Sequence, residues 1–133
     1  MSDGSVVLDT NIFVAAGFNR RSHSARILEQ VKAGRLRMVW NESTRSEVRV
    51  VLEKIPPLSW EPVADLFCPQ ARFDAGTDTE NYSFVPDPDD REFLALAEAV
   101  DAVLVSQDDD LLGHRERAAV LVLTSAEFLG RFS

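Results

Sequence analysis

Hydrophobic positions along the 133-residue chain follow two rhythms. Short continuous runs are rich in β-branched residues, as strands buried on both faces of a parallel sheet tend to be: Val6 to Leu8, Leu36 to Trp40, Val103 to Ser106 and Ala119 to Leu123. Between them apolar residues recur at helical spacing. From Ser24 to Ala33, Ile27, Leu28 and Val31 mark one face, and Gly34 ends the run. After Trp40, Val48, Val51, Leu52 and Ile55 stand at i, i+3, i+4 and i+7 before the Pro56-Pro57 pair. A further helix follows the stretch DPDD, with Phe93, Leu94, Ala97 and Val100 facing inward, and a last one runs from Ser125 to Phe132. Strand and helix in alternation predict an α/β fold, a mostly parallel sheet covered on both faces. The length suits one domain over residues 1–133.

Residues 69–88 follow neither rhythm. They carry Gly76 and three prolines, and only Tyr82, Ser83, Phe84 and Val85 resemble a short edge strand, so the remainder is predicted as loop.

Composition narrows the class. With 45% apolar and 27% charged residues the chain is ordinary for a soluble protein, and no apolar run approaches the roughly 20 residues that span a bilayer. The opening MSDGS lacks the basic start and apolar middle of a secretory signal, and the single Cys68 has no internal disulfide partner. Both features predict a cytoplasmic protein without membrane attachment. Nothing local activates Cys68 as a nucleophile, which leaves it as a helix or core thiol. The net charge of −8 argues against a nucleic-acid partner until its distribution is read. Between Asn19 and Arg49, eight basic residues stand against three acids, a net +5 that leaves −13 for the rest of the chain. Solvated helix faces would explain the basic stretch equally well.

The acidic remainder holds the chemistry. Ligands of open parallel sheets gather beyond the carboxyl ends of the strands, where Asp9 and Asp108 both fall. Glu47 and Asp90 stand one turn before apolar helix positions, at the rim of an inward face. Each has a structural explanation of its own. Thr44 and Glu47 form T-x-x-E, a capping box; Asp87-Pro88 reads as N-cap and first helical residue, which puts Asp90 in a first turn; Asn11 is a plausible cap after the first strand; Asp108 and Asp109 suit a turn. Taken together they need more. Two carboxylates about 4 Å apart repel by roughly 4 kcal/mol at an effective dielectric of 20. His23 and His114 lie elsewhere, and Arg91, next to Asp90, points to another helix face. A hard divalent cation, Mg²⁺ or Mn²⁺, is the compensator that oxygen ligands of this kind select.

Four pieces of the chain, VVLDTNIFV, NESTRSEVRVVL, DPDDREFLALAEAVDAVLVSQDDDLL and VLTSAEFL, occur in the order and spacing of the PIN domain family, which this sequence resembles over nearly its whole length. The resemblance implies a three-layer α/β/α sandwich with strand order 3-2-1-4-5. It also implies a metal-dependent ribonuclease acting on single-stranded RNA, of the kind that serves as toxin in toxin-antitoxin pairs. Carried over by residue, the family's acids fall on Asp9, Glu47, Asp90 and Asp108, the catalytic set and the ligands of Mg²⁺ or Mn²⁺. Asp110 is an accessory ligand in this reading, Asp109 is solvated, and Asp87 and Asp89 cap the helix. Asn11 matches the amide supporting the first aspartate, and Ser106 the small hydroxyl residue near the end of the fourth strand. Arg20, Arg21 and Arg45 would track the RNA backbone, and a small antitoxin protein and a homodimer are the implied partners. The irregular residues 69–88 depart from the family pattern, whose third strand has no clear place there.

Other classes fit less well. A haloacid-dehalogenase-like phosphatase wants an acid two residues after the first aspartate, where this chain has Asn11, and a receiver domain wants a lysine after a late strand, whereas the lysines here are Lys32 and Lys54. A PIN fold that binds RNA or protein with slight or lost catalysis stays open beside the ribonuclease.

Overall fold

The computed structural model describes residues 5–132, so most of the MSDGS stretch lies outside the described residues. Four parallel strands, β1 (Ser5–Leu8), β2 (Arg37–Met38), β3 (Val103–Val105) and β4 (Val122–Leu123), form one sheet in the order β2-β1-β3-β4. Val6 pairs with Met38 on one side and Val103 on the other, and Val105 pairs with Leu123. Every residue of β1 and β3 is buried, as expected of strands covered on both faces, and helices supply that cover. They are α1 (Thr10–Phe18), α2 (His23–Lys32), α3 (Glu42–Lys54), α4 (Glu61–Ala64), α5 (Pro88–Val100), α6 (Asp109–Leu112) and α7 (Ser125–Phe132). The α/β class read from the sequence therefore holds. No helix among the described residues is long and apolar enough to cross a membrane.

Local chemistry sets the helix ends. Ser22 caps α2 through a bond from the Ala25 N–H, and Gly34, at φ 80°, ends that helix in the left-handed region open to glycine. Asp87 accepts from the Asp89 N–H and Pro88 opens α5, as read from the sequence. The core joins Val6, Ile12, Ile27, Leu96, Leu104 and Val105, all fully buried; each such side chain contributes roughly 1.5–3 kcal/mol relative to exposure.

Three local expectations are corrected. Residues 82–85 form no strand: Tyr82 closes a 3₁₀ turn over Thr79–Tyr82, and the third strand of the 3-2-1-4-5 order is reduced to a parallel bridge between Trp40 and Arg72 beside β2. The reason is packing against α5. Tyr82 and Val85 are both buried, the Tyr82 hydroxyl donates to Glu98, and Arg91 donates to the carbonyls of Val85 and Ser83, so side chains satisfy backbone that a ladder would otherwise use. The capping box of α3 lies three residues earlier than T-x-x-E suggests. Asn41 is the N-cap, accepting from the Thr44 N–H at 2.9 Å while the Thr44 hydroxyl accepts from the Asn41 N–H at 3.1 Å, which leaves Glu47 outside the cap. Asn11 is no cap either, because Asp9 takes that position for α1.

Candidate metal centre

The chain leaves β1 toward β2 on one side and later returns as β3 on the other, so the ends of β1 and β3 diverge into the crevice of a topological switch point. Asp9 sits in it. Its N–H still belongs to the sheet, donating to the Val105 carbonyl at 3.0 Å, while its extended backbone (φ −68°, ψ 157°) starts α1. One carboxylate oxygen accepts from the Thr10 N–H at 2.7 Å and the other from the Ser106 hydroxyl at 2.7 Å. Ser106 is itself fixed by its N–H, which donates to the Leu123 carbonyl, and its oxygen accepts from the Asp108 N–H at 2.9 Å. A single hydroxyl thus ties the acid after β1 to the backbone of the acid after β3. With Asp9 only 1% exposed, burial pushes its carboxyl up to about 6, against the Ser106 bond, which lowers it, and the Asp108 charge adds to the rise.

The first turn of α5 and the start of α6 bring further acids to the same place. Asp90, Asp108 and Asp110 each offer a carboxylate oxygen, and these oxygens lie within 4.8 Å of one another. Asp108 caps α6, accepting from the Asp110 N–H at 2.8 Å. Asp90 is buried, and its Oδ2 has no hydrogen-bond partner. Its carboxyl is pushed up to about 8, by burial first and then by the charges of Asp9, Asp108 and Asp87. Among the described residues no lysine or arginine forms an ion pair with these acids. Arg91 is spent on the carbonyls before α5, as its different helix face requires. A buried carboxylate oxygen without a donor, inside an all-oxygen set that no lysine or arginine among the described residues pairs with, is the arrangement a hard divalent ion satisfies.

The remaining predicted residues lie apart from this group. Glu47 faces the tip of α5, where burial raises its carboxyl, followed by the charge of Asp89, a carboxyl hydrogen bond with Asp89, and the charge of Asp87. Ser43, Thr79, Glu92 and Phe93 line the same cavity of about 190 Å³. Asn11 is half-buried inside α1, and the hydrogen bonds to Asp9 come from Thr10 and Ser106 instead. Arg45 pairs with Glu42 at 3.3 Å and lies over the Trp60 ring at 5.2 Å. Arg20 and Arg21 are exposed beyond the far end of α1, a helix about 13 Å long, and so lie away from Asp9 at its start. Two residues are brought in by the structure alone. Asp89, read as a cap, becomes the partner of Glu47, and Thr10 is buried beside Asp9 with its Oγ1 unpartnered. The polar triplet DTN after a strand was the available signal for Thr10; the Glu47–Asp89 pairing depends on two helices meeting and has no local signal.

Comparison with known proteins fits this architecture. The family model described as PIN domain matches residues 5–110. A search of curated proteins finds no match. Among solved structures, FitAB bound to an IR36 DNA fragment is similar at a TM-score of 0.57 and 14% identity, covering 90% of this chain and 94% of that one. FitAcB from Neisseria gonorrhoeae is similar at 0.57 and 15%, covering 91% and 98%. At such identities the likeness is one of fold.

Proposed function

Because this chain belongs to the PIN domain family, we propose that it is a divalent-metal-dependent endoribonuclease that hydrolyses single-stranded RNA and acts as the toxin of a toxin-antitoxin pair. The observation that carries the reading is the uncompensated acid group, above all the partnerless buried Oδ2 of Asp90 among Asp9, Asp108 and Asp110. These residues would hold Mg²⁺ or Mn²⁺. When bound, the ion supplies positive charge that makes a water more acidic and offsets the charge gathering on the phosphate. The protein's part is orientation and proton balance. Ser106 and the Thr10 N–H hold Asp9 in one position, and Asp90, which keeps its proton up to about pH 8 in the metal-free protein, releases it when a cation enters. Glu47 stands at the rim to orient incoming water or RNA. Arg45, with Arg20 and Arg21 further out, tracks the backbone electrostatically. Water adds to phosphorus and the bond to the 3′ oxygen breaks, leaving 5′-phosphate and 3′-hydroxyl ends. A small antitoxin and a second copy of the chain are the partners in this reading.

Purified protein and its Asp9→Asn variant, incubated with end-labelled single-stranded RNA and Mn²⁺, test it. The expected result is cutting that chelator stops and the variant lacks. Equal cutting by both proteins would remove the nuclease assignment. One observation favours a second reading, a PIN fold that binds RNA or protein with little catalysis: Glu47 pairs with Asp89 rather than with the acids at the strand ends. Retention of RNA in a gel shift, with no cutting by the wild-type chain, would select it.

A further inference from the structure

Two buried side-chain atoms among the described residues lack a hydrogen-bond partner, Asp90 Oδ2 and Thr10 Oγ1. Buried polar groups are nearly always paired, so each calls for a reason. Asp90 has one in the cation its site would hold. Thr10 is not explained by its own helix. A threonine hydroxyl inside a helix bonds back to the carbonyl three or four residues earlier. For Thr10, the first residue of α1, those positions are Val7 and Val6 of β1. Neither carbonyl accepts from the Thr10 hydroxyl, and the Val6 carbonyl pairs with the Val39 N–H instead. Asp9, the immediate neighbour, accepts the Thr10 N–H on one oxygen and the Ser106 hydroxyl on the other, and no hydrogen bond joins it to the Thr10 hydroxyl. The two partnerless atoms, one an acceptor and one able to donate, are connected through Asp9: one of its oxygens accepts the Thr10 N–H at 2.7 Å, the other shares the Ser106 hydroxyl with the Asp108 N–H, and carboxylate oxygens of Asp108 and Asp90 lie within 4.8 Å of each other.

We infer that Thr10 is a positioning residue whose hydroxyl donates to a water in the hydration shell of the ion held by Asp9, Asp90 and Asp108. This rests on the metal-site reading above and adds to it a group outside the carboxylate set. Mg²⁺ and Mn²⁺ retain waters when few protein ligands reach them, and a hydroxyl that fixes such a water sharpens both affinity and the direction the water presents. A purely structural hydroxyl would act on folding and leave ion affinity alone.

The test uses the full chain, its Thr10→Val and Thr10→Ser variants, Mn²⁺ titration calorimetry, and thermal melting in chelator. Valine keeps the shape and removes the hydroxyl; serine keeps the hydroxyl. The expected result is a valine variant that melts no lower than wild type without metal but binds Mn²⁺ about 10–100-fold more weakly, with serine within a few-fold of wild type. A valine variant that binds Mn²⁺ as wild type does overturns the inference. So does one that melts lower without metal while serine restores the melting point and Mn²⁺ affinity never moves, because the hydroxyl is then structural. Wild-type protein that takes up no Mn²⁺ fails the metal-site reading itself, and this inference goes with it.

Discussion

Asp9 and Glu47 are both predicted site carboxylates whose pKa values are raised by burial, yet the structure treats them differently. Asp9 is held by two elements: β1 places it, the Thr10 N–H fixes one oxygen, and Ser106, beyond β3, fixes the other. Glu47 hangs from one face of α3, half-buried, with another acid, Asp89, as its hydrogen-bond partner. A buried acid with both oxygens fixed can have one geometry; a rim acid paired to a like group can be turned by whatever binds. The strand side of the site is therefore preorganised, and the helix side is adjustable.

The largest expected effect comes from the acid group around Asp9. Asp90→Asn removes a carboxylate from the group that would hold the ion, so Mn²⁺ affinity should fall on the order of 100-fold or more, beyond what a supporting residue costs. Stability should move the other way. The folded-state values of Asp9 and Asp90, about 6 and about 8, lie above the ordinary 3.8, so the folded chain keeps protons that the unfolded chain releases. The stability linked to those protons is fully present below the ordinary value and is lost as pH rises through about 6 and then about 8. Metal-free wild type should accordingly melt lower near pH 8 than near pH 5, and Mn²⁺ should erase the difference by taking the place of the protons. Asp90→Asn should flatten the upper part of that fall. Calorimetric melting across the pH range in chelator would show it, and a wild-type curve that rises toward pH 8 would remove the electrostatic account of the site.

Ser106→Ala tests what fixes the strand side. It leaves an Asp9 oxygen and the Asp108 N–H without their common partner. A hydrogen bond to a charged group contributes about 1.5–3 kcal/mol, and urea denaturation should register a loss of about 2 kcal/mol. Mn²⁺ affinity should fall about tenfold, as it does when a ligand loses the group that orients it. Unchanged affinity would mean that Asp9 needs no such support, and the contrast with Glu47 would then rest on burial alone.

The strand side is also the part most legible in sequence. An apolar run that stops at a polar residue marks a strand end, and VVLDTN and VLVSQD each announced an acid at a carboxyl end because the period of a strand leaves little choice. Asp87-Pro88 similarly gave away the start of α5. The misplaced strand at residues 82–85 and the unforeseen partner of Glu47 both involve contacts between elements. Tyr82 and Val85 look like strand residues because they are apolar and spaced for burial, but what buries them is α5 and not a sheet. Asn41 and Thr44 both satisfy a capping pattern, and burial of Thr44 decides between them. Nothing within α3 says that Glu47 will meet Asp89.

Glu47→Gln should have the smallest effect, and its size measures how adjustable the helix side is. The substitution removes one of two carboxyls that now share a hydrogen bond and eases repulsion from Asp89 and Asp87. Glutamine can still donate to Asp89, and the position is partly exposed, so metal-free stability should stay within about 0.5 kcal/mol of wild type or rise slightly. Mn²⁺ affinity should fall less than tenfold, because the oxygens grouped within 4.8 Å belong to Asp90, Asp108 and Asp110. Titrations of Glu47→Gln and Asp90→Asn under one condition make the comparison. Should the two lose affinity equally, Glu47 must leave Asp89 and turn to the ion on binding, and the helix side then becomes the part of the site that closes around the metal.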